Sequence, residues 1–299
     1  NGSIDEVAIW NKSLTIDEVL ALYNATRLSH TEIVSEGNHN YTAYTSDIAG
    51  NVNSSSISFS VDESLPLVTI DAPLNLSYGG SVLFNVSSSE VGSGFIVPNL
   101  DGELKGWWRM DDVNGSGDVV DYLGVNNGTV VNDAVQVDSG KFGKGFSFDG
   151  AGDMINMSDT ENSLDGQNIT LSAWIKPQSV GTAYPRIIDR VYNGQFAFYW
   201  RTSTSSLGGA VATTGTSRDS TDLCSGVIEV GEWQHVVMTY DSATLVGYKN
   251  GILCGSDATP SGELSSSSSR IVIGNRVDGN NRDYNGTMDE VMIFNKSLT

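Results

Sequence analysis

The sequence closes on nearly the segment with which it opens. Residues 1–15 read NGSIDEVAIWNKSLT and residues 285–299 read NGTMDEVMIFNKSLT, identical at eleven of fifteen positions. Recurrence at a fixed offset is the mark of a repeat architecture and has to be settled before any local reading. This offset is far longer than a solenoid unit and has the length of one or two whole domains. The expectation is about one period of a longer tandem array, with residues 1–28 as the closing strand and helix of a preceding module. Asn1 falls inside what reads as a strand, with no initiator Met and no charged-then-apolar leader before it. After the first copy, TIDE at 15–18 has the form of a capping box, followed by Val19, Leu20, Leu22 and Tyr23. The equivalent helix is expected beyond Thr299.

Short alternating segments rich in Val, Thr and aromatic residues recur throughout, separated by Gly, Asn, Ser and Asp. This pattern predicts an all-β protein. With 39% hydrophobic residues over 299 positions the chain can build two cores, and no apolar run reaches the length of a membrane span. The formal net charge is −20, and the few Lys and Arg form no basic stripe, which argues against nucleic acid or an anionic membrane as partner. Acidity of this kind serves solubility or binds divalent cations.

Residues 29–64 contain two alternating strands around DIAGN at 47–51, a β-hairpin pattern. It resembles the last two strands of Ig-like domains in prokaryotic surface proteins. Pro66 marks a junction, since it forces Leu65 to be extended and cannot donate to a ladder. Residues 65–100 then hold strands at 67–73 and 81–87 that resemble the opening of another Ig-like sandwich. That sandwich does not finish before residue 299. Two arrangements stay open: a larger domain inserted into an Ig-like one, whose closing hairpin lies in the next repeat, or one permuted sandwich formed by residues 29–100. Insertion is favoured, because it is tolerated where the two ends of the inserted domain lie close together.

Residues 101–299 carry eight ordered motifs: WWRMDD at 107–112, DYLGVNNG at 121–128, GKGFSFDG at 143–150, LSAWIKP at 171–177, WQHVVMTYD at 233–241, YKNG at 248–251, IG at 273–274 and NGTMDEVMI at 285–293. In this order and spacing they resemble the laminin-G-like, concanavalin A-like jelly roll, and residues 1–28 resemble the tail of a second copy. The resemblance implies an antiparallel β-sandwich of two sheets packed face to face. Trp108, Trp174, Trp233, Phe146 and Phe148 are expected to fill its core. Tyr184, Tyr192, Tyr199 and Trp200 fall in segments of the family's concave face or rim, where ligands would dock. Members of the family often hold calcium at the sandwich edge, and by motif position its ligands here would be Asp121, Asp149, Asp153 and Asp289. The alternative for Asp149 and Asp289 is that they cap turns.

Cys224 and Cys254 sit in strand-like contexts and would pair in an extracellular setting. Thirteen Asn-X-Ser/Thr sequons favour that setting: Asn1, Asn11, Asn24, Asn40, Asn53, Asn75, Asn85, Asn114, Asn127, Asn156, Asn168, Asn285 and Asn295. No paired-carboxylate glycosidase run is present, and Asp289 and Glu290, being adjacent, would point to opposite faces of a strand. His235 reads as a structural histidine with no evident triad, and phosphate-loop and dinucleotide motifs are lacking. The sequence therefore reads as non-catalytic. The leading function is a structural repeat of a cell-surface stalk or filament whose partners are neighbouring copies. A carbohydrate- or glycoprotein-binding adhesin module is the alternative, and a non-catalytic domain of a secreted enzyme a third.

Overall fold

The structure, a computed structural model, describes residues 1–5, 7–24, 33–61, 66–73, 82–89, 96–157, 167–179, 182–190, 195–215, 219–279 and 282–298. The chain divides into two units, Asn1–Val91 and Gly92–Thr299.

In the first unit, helix α1 spans Ile16–Asn24. Its start is the capping box read from TIDE: the Thr15 amide donates to Glu18 Oε2 at 2.7 Å, and the Glu18 amide donates to Thr15 Oγ1 at 3.2 Å. Two amides that the helix leaves without partners are thereby satisfied, a contribution of about 1 kcal/mol. The strand expected over the first ten residues is not formed. Ile4, Val7 and Ile9 are 87%, 78% and 94% exposed, and none of the described residues there is in a ladder. An extended segment becomes a strand only when it joins the ladder of a neighbour, and among the described residues of this unit this one joins none.

Strands β1 (Gly37–Ser46) and β2 (Val52–Val61) form the expected hairpin, in register from Gly37 opposite Val61 to Ser46 opposite Val52. Asp47 ties its turn together: Oδ1 accepts the amides of Ala49 and Asn51, and Oδ2 accepts Asn51 Nδ2. Strands β3 (Val68–Ala72) and β4 (Asn85–Ser88) pair antiparallel. Among the described residues each pair stays a two-stranded sheet.

The second unit begins with β5 (Leu104–Trp108), β6 (Gly128–Val131), β7 (Val135–Val137), β8 (Gly145–Asp149) and β9 (Met154–Met157). Next come β10 (Ile169–Pro177), β11 (Arg186–Arg190), β12 (Phe196–Arg201), β13 (Ser206–Val211) and β14 (Asp219–Cys224). The last five are β15 (Gln234–Tyr240), β16 (Leu245–Lys249), β17 (Ile252–Asp257), β18 (Ile271–Ile273) and β19 (Asn285–Phe294). One sheet runs β17-β16-β15-β10-β19-β8-β7, with β5 also on β19; the other runs β14-β13-β12-β11-β18-β9-β6. Every pairing is antiparallel.

The core lies between the sheets, and the period-two alternation of the strands fills it. Ile169, Leu171, Ala173 and Ile175 of β10 enter it from the first sheet, and Phe196, Phe198 and Trp200 of β12 from the second. Trp108, Phe146 and Phe148 are core residues as the sequence suggested. Trp174 and Trp233 are not: both are half-buried and outside the core cluster. Trp174 alternates with the inward residues of β10, so its ring lies outward, edge-on to Phe142 and under the Lys141 ammonium at 4.6 Å.

Strand β19 is the hub of the first sheet. It pairs with β10 along one side, while its other side gives its first half to β8 and its second half to β5. Met288, Val291 and Ile293 face the core. Their counterparts in the first copy are Ile4, Val7 and Ile9, the residues left exposed in the first unit.

Cys224 and Cys254 form a disulfide with Cα atoms 5.2 Å apart. It joins β14 to β17, the edge strands of opposite sheets. The edges touch so closely that a Cβ on Gly255 would stand 1.7 Å from the Leu223 carbonyl oxygen. Gly255→Ala is therefore expected to destabilise the unit by about 1–3 kcal/mol, measured by urea unfolding, because backbone cannot yield as a flexible side chain would.

Candidate functional site

The outward face of the second sheet gathers aromatic and cationic side chains. On β12, Phe196, Phe198 and Trp200 go inward, so Ala197, Tyr199 and Arg201 go outward. Tyr199 lies flat over β13, where Gly208 makes room: a Cβ there would meet the Tyr199 ring at 2.2 Å. Tyr184, in the loop leading into β11, packs edge-on against Tyr199 with ring centroids 5.8 Å apart. The Arg186 guanidinium sits 5.0 Å from the centre of Tyr199. Tyr184 is flanked by two more, Arg201 at 5.6 Å and Arg282 at 5.0 Å. Tyr199 and Arg186 are buried, at 6% and 3% exposure, so the groups a ligand can reach are Tyr184, Arg201 and Arg282. A planar ring with two guanidiniums beside it suits a ligand that has both a flat apolar face and hydrogen-bonding or charged groups.

Two carboxylates hold this cluster. Arg186 Nε donates to Asp189 Oδ2 at 3.0 Å, both residues being buried. Burial pushes the Asp189 carboxyl up and the Arg186 guanidinium down, and their mutual attraction opposes both shifts. Arg201 Nη1 donates to Asp222 Oδ2 at 2.8 Å, and this contact raises the arginine further. Arg282 forms no ion pair among the described residues.

Of the four residues expected to contact a ligand, the structure brings Tyr184 and Tyr199 together. Trp200 belongs to the core, fully buried, because one step along a strand reverses the face. Tyr192 lies outside the described residues. Arg186, Arg201, Arg282 and Gly208 were not foreseen from the sequence. The available signal was an arginine two residues from a tyrosine four times over, at 184 and 186, 190 and 192, 199 and 201, and 282 and 284.

The four aspartates expected to hold calcium do not converge. The carboxylate of Asp121 accepts the amides of Trp107, Leu123, Val125 and Asn126, closing its own loop from inside. Asp153 accepts the amides of Asp133 and Asp149, and Asp149 accepts that of Ala151. Asp289 accepts the amides of Lys141, Phe142 and Glu290. Among the described residues no three His, Cys, Asp or Glu side chains are grouped to hold a metal. Each of these carboxylates is engaged by backbone amides, and no calcium-dependent step is derived.

Asp289 and Glu290 were expected on opposite faces. A β-bulge, with Glu290 at φ +50°, interrupts the alternation of β19, and both carboxyl groups end on the outward side of the first sheet. There Glu290 Oε2 accepts Trp107 Nε1 at 2.5 Å. Burial raises Asp289 to about 7 and Glu290 to about 8, against the lowering effect of their N–H donors. His235, on the same sheet, shares a 2.8 Å hydrogen bond through Nε2 with Ser172 Oγ, a contact the sequence did not disclose. Burial lowers the His235 pKa, Ser172 is itself buried, and no carboxylate is hydrogen-bonded to the ring among the described residues.

Among the sequons, Asn1, Asn11, Asn40, Asn53, Asn85, Asn114 and Asn127 are exposed, while Asn156, Asn168, Asn285 and Asn295 are half-buried. Asn75 and the side chain of Asn24 lie outside the described residues. No described helix is long and apolar enough to cross a membrane, which leaves β-barrels unaddressed.

Two antiparallel sheets packed around one core define a lectin-type jelly roll. The sequence agrees: residues 149–299, slightly more than half of the chain, match the laminin-G group of the concanavalin A-like lectin/glucanase superfamily. The protein belongs to that family. No curated protein matches it by sequence. Among solved structures, the binding domain of Paraclostridial Mosquitocidal Protein 1 is similar, with a TM-score of 0.52, 16% identity and coverage of 66% of this chain and 50% of that one. Domain 4 of an extracellular arabinanase from Geobacillus stearothermophilus, in complex with arabinotriose, gives 0.51, 19%, 66% and 94%. The receptor-binding domain of botulinum neurotoxin mosaic serotype C/D gives 0.51, 21%, 66% and 48%. The chain thus spans about half the length of the two toxin domains. At these identities the likeness is one of fold.

Proposed function

We propose that this protein is a non-catalytic binding module, secreted or displayed at a cell surface, that takes a saccharide on the outward face of its second sheet. The observation that supports this best is the half-buried Tyr184 ring, backed by the buried Tyr199 and flanked by the guanidiniums of Arg201 and Arg282. Aromatic rings stack on the apolar faces of sugars, and guanidiniums bond to their oxygens. The arabinotriose-bound neighbour and the receptor-binding toxin domains are consistent with this reading. The disulfide and the exposed sequons accord with an extracellular setting. The test is calorimetric titration with a panel of oligosaccharides, neutral and acidic. Binding should be found, and Tyr184→Ala should weaken it at least tenfold without changing the melting temperature. A full panel without binding would exclude the saccharide reading.

The recurrence of residues 1–15 at 285–299 supports a second reading, a repeat unit of a surface stalk or filament whose partners are further copies. Electron microscopy of native material should then show fibres with an axial repeat of one unit pair. Isolated particles would leave the binding reading alone. Display along a stalk and saccharide binding are compatible.

A further inference from the structure

The saccharide reading leaves the chemistry of the ligand open, and the charges around Tyr184 narrow it. We infer that the face binds an acidic saccharide, one whose carboxylate or sulfate group is taken by Arg282 together with Arg201 while Tyr184 lies against the sugar ring. The inference rests on the saccharide reading above.

The chain carries a formal net charge of −20, so a local excess of positive charge on it is unexpected from composition. Here three guanidiniums meet two carboxylates. Arg186 is committed to Asp189 within the sheet, at 3.0 Å and out of solvent. Arg201 is held by Asp222 at 2.8 Å but remains partly exposed, with 38% of its side-chain surface accessible. Arg282, half-buried, has no carboxylate partner among the described residues, and its charge repels that of Arg186. Among the described residues one guanidinium beside the tyrosine ring thus has no ion-pair partner, and a second, on the other contact of that ring, is tied to the half-buried carboxylate of Asp222.

Like charges held together in a fold cost free energy unless something neutralises them. A planar carboxylate or a sulfate accepts paired N–H donors from guanidinium better than any neutral hydroxyl does. A neutral sugar would use the ring of Tyr184 and leave Arg282 unneutralised. An anionic sugar satisfies both. Asp222 then acts as a competitor, an internal carboxylate that occupies Arg201 until the ligand displaces it.

The experiment is titration calorimetry on the full chain with three probes of matched length: a neutral arabino-oligosaccharide, an oligogalacturonate carrying carboxylates, and a heparin-derived oligosaccharide carrying sulfates. At least one acidic probe should bind tenfold or more tighter than the neutral one, and which of them does so identifies the anion. Arg282→Gln should cost that probe about tenfold while changing neutral binding less than twofold. Asp222→Asn should tighten acidic binding several-fold by removing the competitor, and melting curves of both variants should stay close to the parent. Equal binding of neutral and acidic probes, or acidic binding indifferent to Arg282→Gln, would overturn the inference while leaving saccharide binding intact. No binding by any probe in this set or the wider panel would overturn both.

Discussion

Serine at both Cys224 and Cys254 should lower the stability of the jelly-roll unit by about 3–4 kcal/mol, with a fall in melting temperature of about 10 °C. The closed loop spans a sequence separation of 30 residues, and the loop-entropy relation gives a value of this size for such a loop. The placement of the bond adds a reason of a different kind. It ties the last strand of one sheet to the last strand of the other, at a margin where β17 has Ile252 and Leu253 largely exposed and little core beneath it. Without the bond, β17 is held by β16 and by its contact with β14, and fraying should begin there. Differential scanning calorimetry on the parent, the parent with reductant and the double variant should place the last two together. A reduced protein that melts with the oxidised one would show that packing alone holds the margin.

The same unit should be more stable at pH 5.5 than at pH 8.5. Asp289 and Glu290, whose ordinary values are 3.8 and 4.5, are raised by burial to about 7 and about 8. A carboxyl whose folded pKa lies above its unfolded one favours folding in its protonated form. That stability is complete below about pH 4 and is lost as pH rises through 7 and 8, by an amount on the order of several kcal/mol for the pair together. The neighbouring Asp111 carboxylate adds to the rise, and Arg109 opposes it at Glu290. His235 works the other way, since burial lowers its pKa and its stability contribution is lost as pH falls below its unfolded value of about 6.5. Asp257, held low first by its hydrogen bond with Thr259, stays ionised through this window and contributes no slope. Glu290→Gln separates these effects, because the amide oxygen can still accept Trp107 Nε1 but carries no titration. The variant should show a smaller gap between its melting temperatures at the two pH values, chiefly by gaining stability at pH 8.5. An unchanged gap would assign the pH dependence to other groups.

What could be read from the sequence was local or modular. TIDE at 15–18 and DIAGN at 47–51 specify their structures within a few residues, so the capping box and the hairpin turn form as expected. The eight ordered motifs placed the jelly roll, since each corresponds to a strand or to a turn its neighbours require. Trp200 and Trp174 show the limit of residue type as a guide: an exposed-looking aromatic went inward and a core-looking one outward, because strand phase decides the face and was not known. Glu290 shows another, a bulge that no residue type announces. The guanidinium cluster was hidden for a third reason: Arg186, Arg201 and Arg282 come from separate stretches that only the sheet order brings together. The described residues among the first ten carry a sequence close to that of β19 yet form no strand, so similar propensity gives opposite outcomes with different neighbours.

The pairing of β5 with β19 decides how the jelly-roll unit would respond to tension. Leu104 lies opposite Phe294, the Asn295 amide donates to the Glu103 carbonyl, and Lys296 meets Glu103 at 2.9 Å, so the chain enters and leaves the sandwich at one pole. A pull on the two flanking segments loads this junction one hydrogen bond at a time, in the manner of a zipper, and does not shear the whole ladder at once. The unit would hang beside the line of force as a pendant. The contacts loaded first are those of Leu104 with Phe294 and of Glu103 with Lys296, whereas Tyr184 leads into β11 of the other sheet.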